Sequence, residues 1–211
     1  VFPKGQDKIL NRPVVADLDG DARPDIWTGT LLYLQQKDGS FVAAPPKNPV
    51  TLNSAQVRAH DLDLDGTLDL VWAGTQGHPA QAALSVGLPQ EQLAWIDADA
   101  QGLAGAIALA DFDENGTLDL AVATAEGVRI LDAQPNGNKA KPANFKGLRD
   151  NTRAVGSIVE YRAGPIYRRI YWRAGPQLLG AGKQPRLDVL RITWPNGNVN
   201  TVIDSDLVAE T

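Results

Sequence analysis

Eleven aspartates of this chain, with one asparagine, fall into a pattern that occurs three times. Asp17, Asp19, Asp21 and Asp25 stand at positions 1, 3, 5 and 9 of a nine-residue stretch. Asp61, Asp63, Asp65 and Asp69 repeat it, and Asp111, Asp113, Asn115 and Asp119 repeat it again. Acids at alternate positions of a tight loop repel one another unless a cation lies between them. Wrapped around a hard ion, such a loop offers side-chain oxygens from positions 1, 3 and 5. It adds a backbone carbonyl from position 7 (Arg23, Thr67, Thr117) and a carboxylate, mono- or bidentate, from position 9. The total of about six or seven oxygens is what Ca²⁺ takes, whereas Mg²⁺ demands a stricter octahedron with more water. Zinc prefers nitrogen or sulfur. A single copy could equally be an Asp/Gly-rich hairpin turn. Three copies that all end in Asp and feed an apolar run point to up to three calcium ions.

The flanks are β-like, so the unit is strand, loop, strand. An EF-hand would instead need a 12-residue loop ending in Glu between helices. The copies are spaced 44 and then 50 residues apart, a period typical of propeller blades. Strands are expected at 25–30, 31–35 and 41–44, with a turn at Lys37-Asp38-Gly39. More are expected at 70–74, 82–86 and 93–96, and then at 118–124 and 128–131. Asp97-Ala98-Asp99 begins like a fourth loop but has Gly105 at position 9, and reads as a turn. Three such units do not close a propeller, which takes 4–8 blades.

With their lead-ins Val14-Val15-Ala16, Val57-Arg58-Ala59-His60 and Ala108-Leu109-Ala110, the three segments resemble FG-GAP/VCBS repeats, the blades of integrin-α-type β-propellers. The resemblance covers about residues 10–135 and implies one calcium per loop, near the edge of a blade. The first copy departs from it with Ala22 where Gly66 and Gly116 stand. If that position requires a positive φ, Ala is strained there, and the first site is expected to be the weakest. The third copy carries one charge fewer.

A second region follows. Residues 1–138 hold 8 Lys/Arg against 19 Asp/Glu, and residues 139–211 hold 12 against 6. The shift marks a boundary near Pro135–Pro142. Alternating runs at 157–162, 167–173, 188–194 and 198–203 read as strands. The last two are joined by Pro195-Asn196-Gly197, a strong hairpin signal. Three stretches resemble the ASPIC/UnbV domain that follows VCBS repeats in the cartilage-acidic-protein family: Arg153-Ala154-Val155-Gly156-Ser157, Arg173-Ala174-Gly175 and 189–197. The resemblance covers about 144–205. It departs at Leu178-Leu179-Gly180-Ala181-Gly182, where the family carries a longer glycine- and serine-rich run. The resemblance implies an architecture and no activity.

Composition narrows the function. The chain has 211 residues, no Cys and no Met, so disulfides, thiolate metal sites and a cysteine nucleophile are excluded. The missing Met leads us to expect a mature or excised piece of a longer product. No apolar run of about 18 residues exists to span a membrane, and no signal-peptide pattern lies within this piece. The formal net charge is −5; three bound Ca²⁺ would bring it to +1. His60, beside a loop, reads as a plain strand residue, and His78 as part of a Gly-His-Pro turn. No nucleophile elbow, zinc-protease motif or phosphate-binding glycine loop is present, so no active site is visible. The stretch Tyr167-Arg168-Arg169-Ile170-Tyr171-Trp172-Arg173 could bind a polyanion. An acidic glycan or acidic protein surface fits it better than nucleic acid, and a strand with one solvated face explains it equally well. The five Trp residues read as core or inter-blade packing.

These readings combine into an all-β protein. Calcium-loop blades of β-propeller type (1–138) precede a small β-rich ASPIC/UnbV-like domain (139–211). The expected function is non-enzymatic recognition or adhesion of a protein or glycan ligand outside the cytoplasm: extracellular, periplasmic or at the cell surface. The alternatives are a scaffold subunit of a larger surface assembly and an accessory domain of a carbohydrate-active enzyme.

Overall fold

The computed structural model describes residues 13–28, 31–44, 57–72, 80–84, 92–97, 102–124, 126–147 and 151–206. His78 and the turn after Asp97 lie outside them. Strands and no helix occur among the described residues, so no helix there is long and apolar enough to cross a membrane.

Strands β1 (Val14–Ala16), β2 (Asp25–Trp27), β3 (Leu32–Gln35) and β4 (Phe41–Ala44) form an antiparallel sheet in chain order. Strands β5 (Val57–His60), β6 (Asp69–Trp72), β7 (Ala80–Leu84) and β8 (Gln92–Asp97) form a second of the same kind. A third is made of β9 (Gly102–Ala110), β10 (Asp119–Thr124) and β11 (Gly127–Leu131). In each, the acidic loop joins the first strand to the second. The register is the same every time: the residue before position 1 pairs with position 9, as Ala16↔Asp25, His60↔Asp69 and Ala110↔Asp119.

Strand β6 explains why the residues after a loop are apolar without alternation. Successive side chains of a strand point to opposite faces, and here both faces are covered. Leu70 and Trp72 pack with Trp27 and Leu32 of the first sheet and with Leu18 of its acidic loop. Val71, from the other face, packs with Ile107, Leu120 and Val122 of the third. The second sheet therefore lies between the other two, and Trp27 and Trp72 pack between sheets. Burying side chains of this size contributes about 1.5–3 kcal/mol each.

The remaining strands are β12 (Lys139–Ala143), β13 (Ile158–Ala163), β14 (Ile166–Tyr171), β15 (Gln177–Gly182), β16 (Arg186–Thr193) and β17 (Val199–Asp206). Four of them make a sheet ordered β14-β13-β16-β17, and β12 pairs with β15. The hairpin from β16 to β17 turns at Gly197, with φ 86°, closed by Trp194 N–H to the Asn198 carbonyl at 2.8 Å. The core of this part is drawn from residues 143–192. Trp172 lies at its centre, edge-on to Phe145 with ring centroids 4.4 Å apart.

Candidate metal centres

Each acidic loop brings three carboxylates together. Asp17, Asp19 and Asp25 form one group, Asp61, Asp63 and Asp69 a second, and Asp111, Asp113 and Asp119 a third. Within each group one carboxylate oxygen per residue lies within 4.8 Å of the others. Positions 1, 3 and 9 of the sequence pattern thus converge in all three copies.

Position 9 is fully buried each time and holds the loop closed. Its Oδ2 accepts the N–H of position 2: Leu18 to Asp25 at 2.8 Å, Leu62 to Asp69 at 2.7 Å, Phe112 to Asp119 at 2.8 Å. Its Oδ1 reaches the end of the next strand, accepting from Gln35 N–H, the last residue of β3, at 3.0 Å in the first loop and from Ala133 N–H, just beyond β11, at 2.8 Å in the third. The carbonyls of those same two residues accept from position 7: Arg23 Nε to Gln35 O at 2.8 Å, and Thr117 Oγ1 to Ala133 O at 3.0 Å.

Position 5 turns toward position 7. Asp65 Oδ1 accepts Thr67 N–H at 2.6 Å, and Asn115 Oδ1 accepts Thr117 N–H at 2.8 Å. Asp21 accepts Arg23 N–H at 2.9 Å and forms an ion pair with the Arg23 guanidinium. Asp21 and Asp65 accordingly stand outside the three-carboxylate groups.

The backbone required is left-handed at two positions. Ala22 has φ 70°, Gly66 89° and Gly116 83°; at position 4, Gly20 has 79°, Leu64 60° and Glu114 59°. Every loop spends one glycine on these two positions, the first at position 4 and the others at position 6. Ala22 is strained in the way its sequence context suggests.

At position 1, Oδ2 accepts the amide of position 6, from Ala22 at 3.0 Å, Gly66 at 3.0 Å and Gly116 at 2.9 Å. The other oxygen tests whether a cation fits. Asp17 Oδ1 and Asp61 Oδ1 are buried without a hydrogen-bond partner among the described residues, and a buried carboxylate oxygen without a partner is costly. Burial raises the Asp17, Asp25 and Asp63 carboxyls above their ordinary range. It raises Asp61 well above that range, with Asp69, Asp65 and Asp63 adding to it. Asp19 is pushed up to about 6 by burial and by Asp25 and Asp17. A cation fits the first two loops on these grounds. The third is more open, and both Asp111 oxygens accept amides.

Residues 17–72 match the FG-GAP-like repeat. The matched stretch begins at the first acidic loop and ends on β6 after the second, so it crosses from one sheet into the next. A comparison with curated proteins gave no match.

Several residues that shape the second loop come from far along the chain. Asn136 and Asn138 donate side-chain N–H to the Asp63 carbonyl at 2.8 and 2.7 Å, and Gly182 N–H donates to the Leu64 carbonyl at 2.9 Å. A Cβ at Gly180 would land on Asp61 Oδ2 and lie 3.1 Å from the Leu64 carbonyl carbon. Only the glycines of 180–182 and the asparagines of 136–138 hinted at this in the sequence, and neither named the loop they meet. His60 is a partly buried strand residue, pushed down to about 4 by burial and by Arg173 and Arg58, and so neutral at pH 7.

Proposed function

We propose that the chain is a calcium-stabilised, non-enzymatic recognition or adhesion module that works outside the cytoplasm. The observation that carries this reading is the threefold convergence of carboxylates at positions 1, 3 and 9, with buried, unpartnered oxygens on Asp17 and Asp61. The match to the FG-GAP-like repeat supports it. In this reading the three loop-bearing sheets are propeller blades, and residues 139–211 are an ASPIC/UnbV-like domain. Asp17, Asp19 and Asp25, and their counterparts in the other loops, would hold Ca²⁺, with positions 5 and 7 completing the shell. Calcium supplies the positive charge that lets these buried acids stay ionised.

Binding that favours the folded state stabilises by RT ln(1 + [L]/Kd), about 2.7 kcal/mol per site at a hundredfold excess. At about 2–4 °C per kcal/mol for a chain of this size, one site raises Tm by roughly 5–10 °C. Extracellular modules bind calcium in the 10⁻⁴–10⁻³ M range, which suits a protein exposed to calcium outside the cell; at 1 mM calcium such a Kd gives about 0.4–1.4 kcal/mol per site, or roughly 1–6 °C. The test is a thermal melt after EDTA treatment, with no addition, 1 mM CaCl₂ or 1 mM MgCl₂. A rise with calcium well beyond that with magnesium is expected; coincident melts would refute the reading.

A further inference from the structure

A cavity of about 330 Å³ lies between the first two acidic loops and strands β14 and β15. Arg168, Arg169 and Arg173 line it, with Tyr171 beside them. Arg168 is 2 % exposed, and neither Nη atom has a hydrogen-bond partner among the described residues. Arg169 Nε is also buried without one. A guanidinium is always charged and carries five donors in a rigid fork. Burying it with both Nη groups unanswered is unfavourable unless an acceptor meets them.

Asp17 and Asp61 in the same wall attract Arg168 by charge, but no hydrogen bond joins them to its Nη atoms. Asp17 and Asp61 are hydrogen-bonded to Ala22 and Gly66 and belong to the loop groups. Three arginines against two aspartates leave the lining with one surplus positive charge. That balance suits a monoanion better than a dianion, which the aspartates would repel more strongly. A planar acceptor with two oxygens matches the arginine fork. The volume lies at the small end of ligand sites, room for about one ring. Tyr171, 57 % exposed and with Arg169 over its ring, offers an aromatic face.

We propose that this cavity is a recognition site for a carboxylate-bearing ligand about one ring in size, such as an acidic sugar residue, with Arg168 as its anchor. The assignment deepens the recognition reading above and rests on it. It does not depend on which cation the loops hold.

Calorimetric titration of the full chain in 1 mM CaCl₂ tests it, using galacturonate, N-acetylglutamate α-amide (one carboxylate), galactose and inorganic phosphate. Galacturonate or the glutamate amide should bind at least tenfold tighter than galactose and than phosphate, and whichever of the two is tighter names the source of the carboxylate. Arg168→Lys keeps the charge and removes the fork, so it should weaken binding tenfold or more. Arg169→Gln, at a less buried position, should weaken it several-fold and guards against a misfolded Arg168 variant. No binding of either carboxylate at 10 mM overturns the assignment. So does equal binding of galactose, tighter binding of phosphate, or unchanged affinity in both variants. A calcium melt shift without carboxylate binding sinks only the cavity assignment, and the reverse result sinks only the calcium reading.

Discussion

The aspartate at position 9 braces its loop by hydrogen bonds in addition to the metal-ligand role proposed for it, and Asp119→Asn separates the two. If this side chain were a metal ligand alone, replacing it would cost nothing in EDTA. The structure gives it a second task. Asp119 is fully buried and accepts two amides, Phe112 N–H on Oδ2 and Ala133 N–H on Oδ1, each at 2.8 Å. Hydrogen bonds to a charged group contribute about 1.5–3 kcal/mol each. Asn keeps the shape and one acceptor, but turns an NH₂ toward the other amide. One bond is lost and one part-buried N–H left unsatisfied, a cost of about 1–3 kcal/mol without metal. Asp119→Ala removes both acceptors and should cost about 3–5 kcal/mol. The assay is urea denaturation in EDTA, reading the midpoint at constant slope so that the change belongs to stability. An Asp119→Asn midpoint within about 0.5 kcal/mol of the parent would refute the argument and leave the residue as a ligand only.

Metal-free stability should also depend on pH through Asp19. Its folded pKa of about 6 lies above the ordinary 3.8, so the folded chain holds that proton more tightly than the unfolded one. The contribution is present in full below about pH 4 and is lost as pH rises through 6. Asp19→Asn cannot ionise. In EDTA it should therefore gain on the parent between pH 4.5 and 7.5, by about 1–2 kcal/mol once the full shift at 1.36 kcal/mol per unit is discounted for a half-open loop. Parallel urea midpoints at the two pH values would contradict this. Ala22→Gly should stabilise by roughly 0.5–1 kcal/mol by relieving a left-handed Ala. Gly66→Ala should destabilise by more, because its Cβ would meet Ile166 Cγ2 at 2.6 Å; opposite signs in a melt are the check. Gly180→Ala displaces Asp61 or its own strand, at about 1–3 kcal/mol, and should abolish one calcium site while the other two persist. Full calcium stoichiometry in that variant would be the contrary result.

The sequence shows the loops plainly because bringing carboxylates from alternate positions together in one tight loop fixes residue type and spacing at once. It also shows most strands, and the Asn196-Gly197 turn, since these depend on short-range chemistry. Other features have no local signature. The second left-handed position is hidden because Leu64 and Glu114 adopt it without being glycine. Strands β12 and β15, Lys-Ala-Lys-Pro-Ala and Gln-Leu-Leu-Gly-Ala-Gly, hold no β-branched residue and little alternation. They form because they pair with each other and β15 lies against the second loop. Gly180 is required by Asp61, more than a hundred residues away. Alternation puts Arg168 on one face with Ile170 and Trp172, but only the fold reveals that this face turns inward.

The most direct measurement counts calcium on the intact chain by native mass spectrometry after EDTA stripping and titration with CaCl₂. The structure predicts binding that saturates at up to three ions per chain. Asp17→Asn/Asp19→Asn and Asp61→Asn/Asp63→Asn should each remove one ion. Zero bound calcium at 1 mM, or a count that neither double variant lowers, would contradict the assignment of the Asp loops as metal centres.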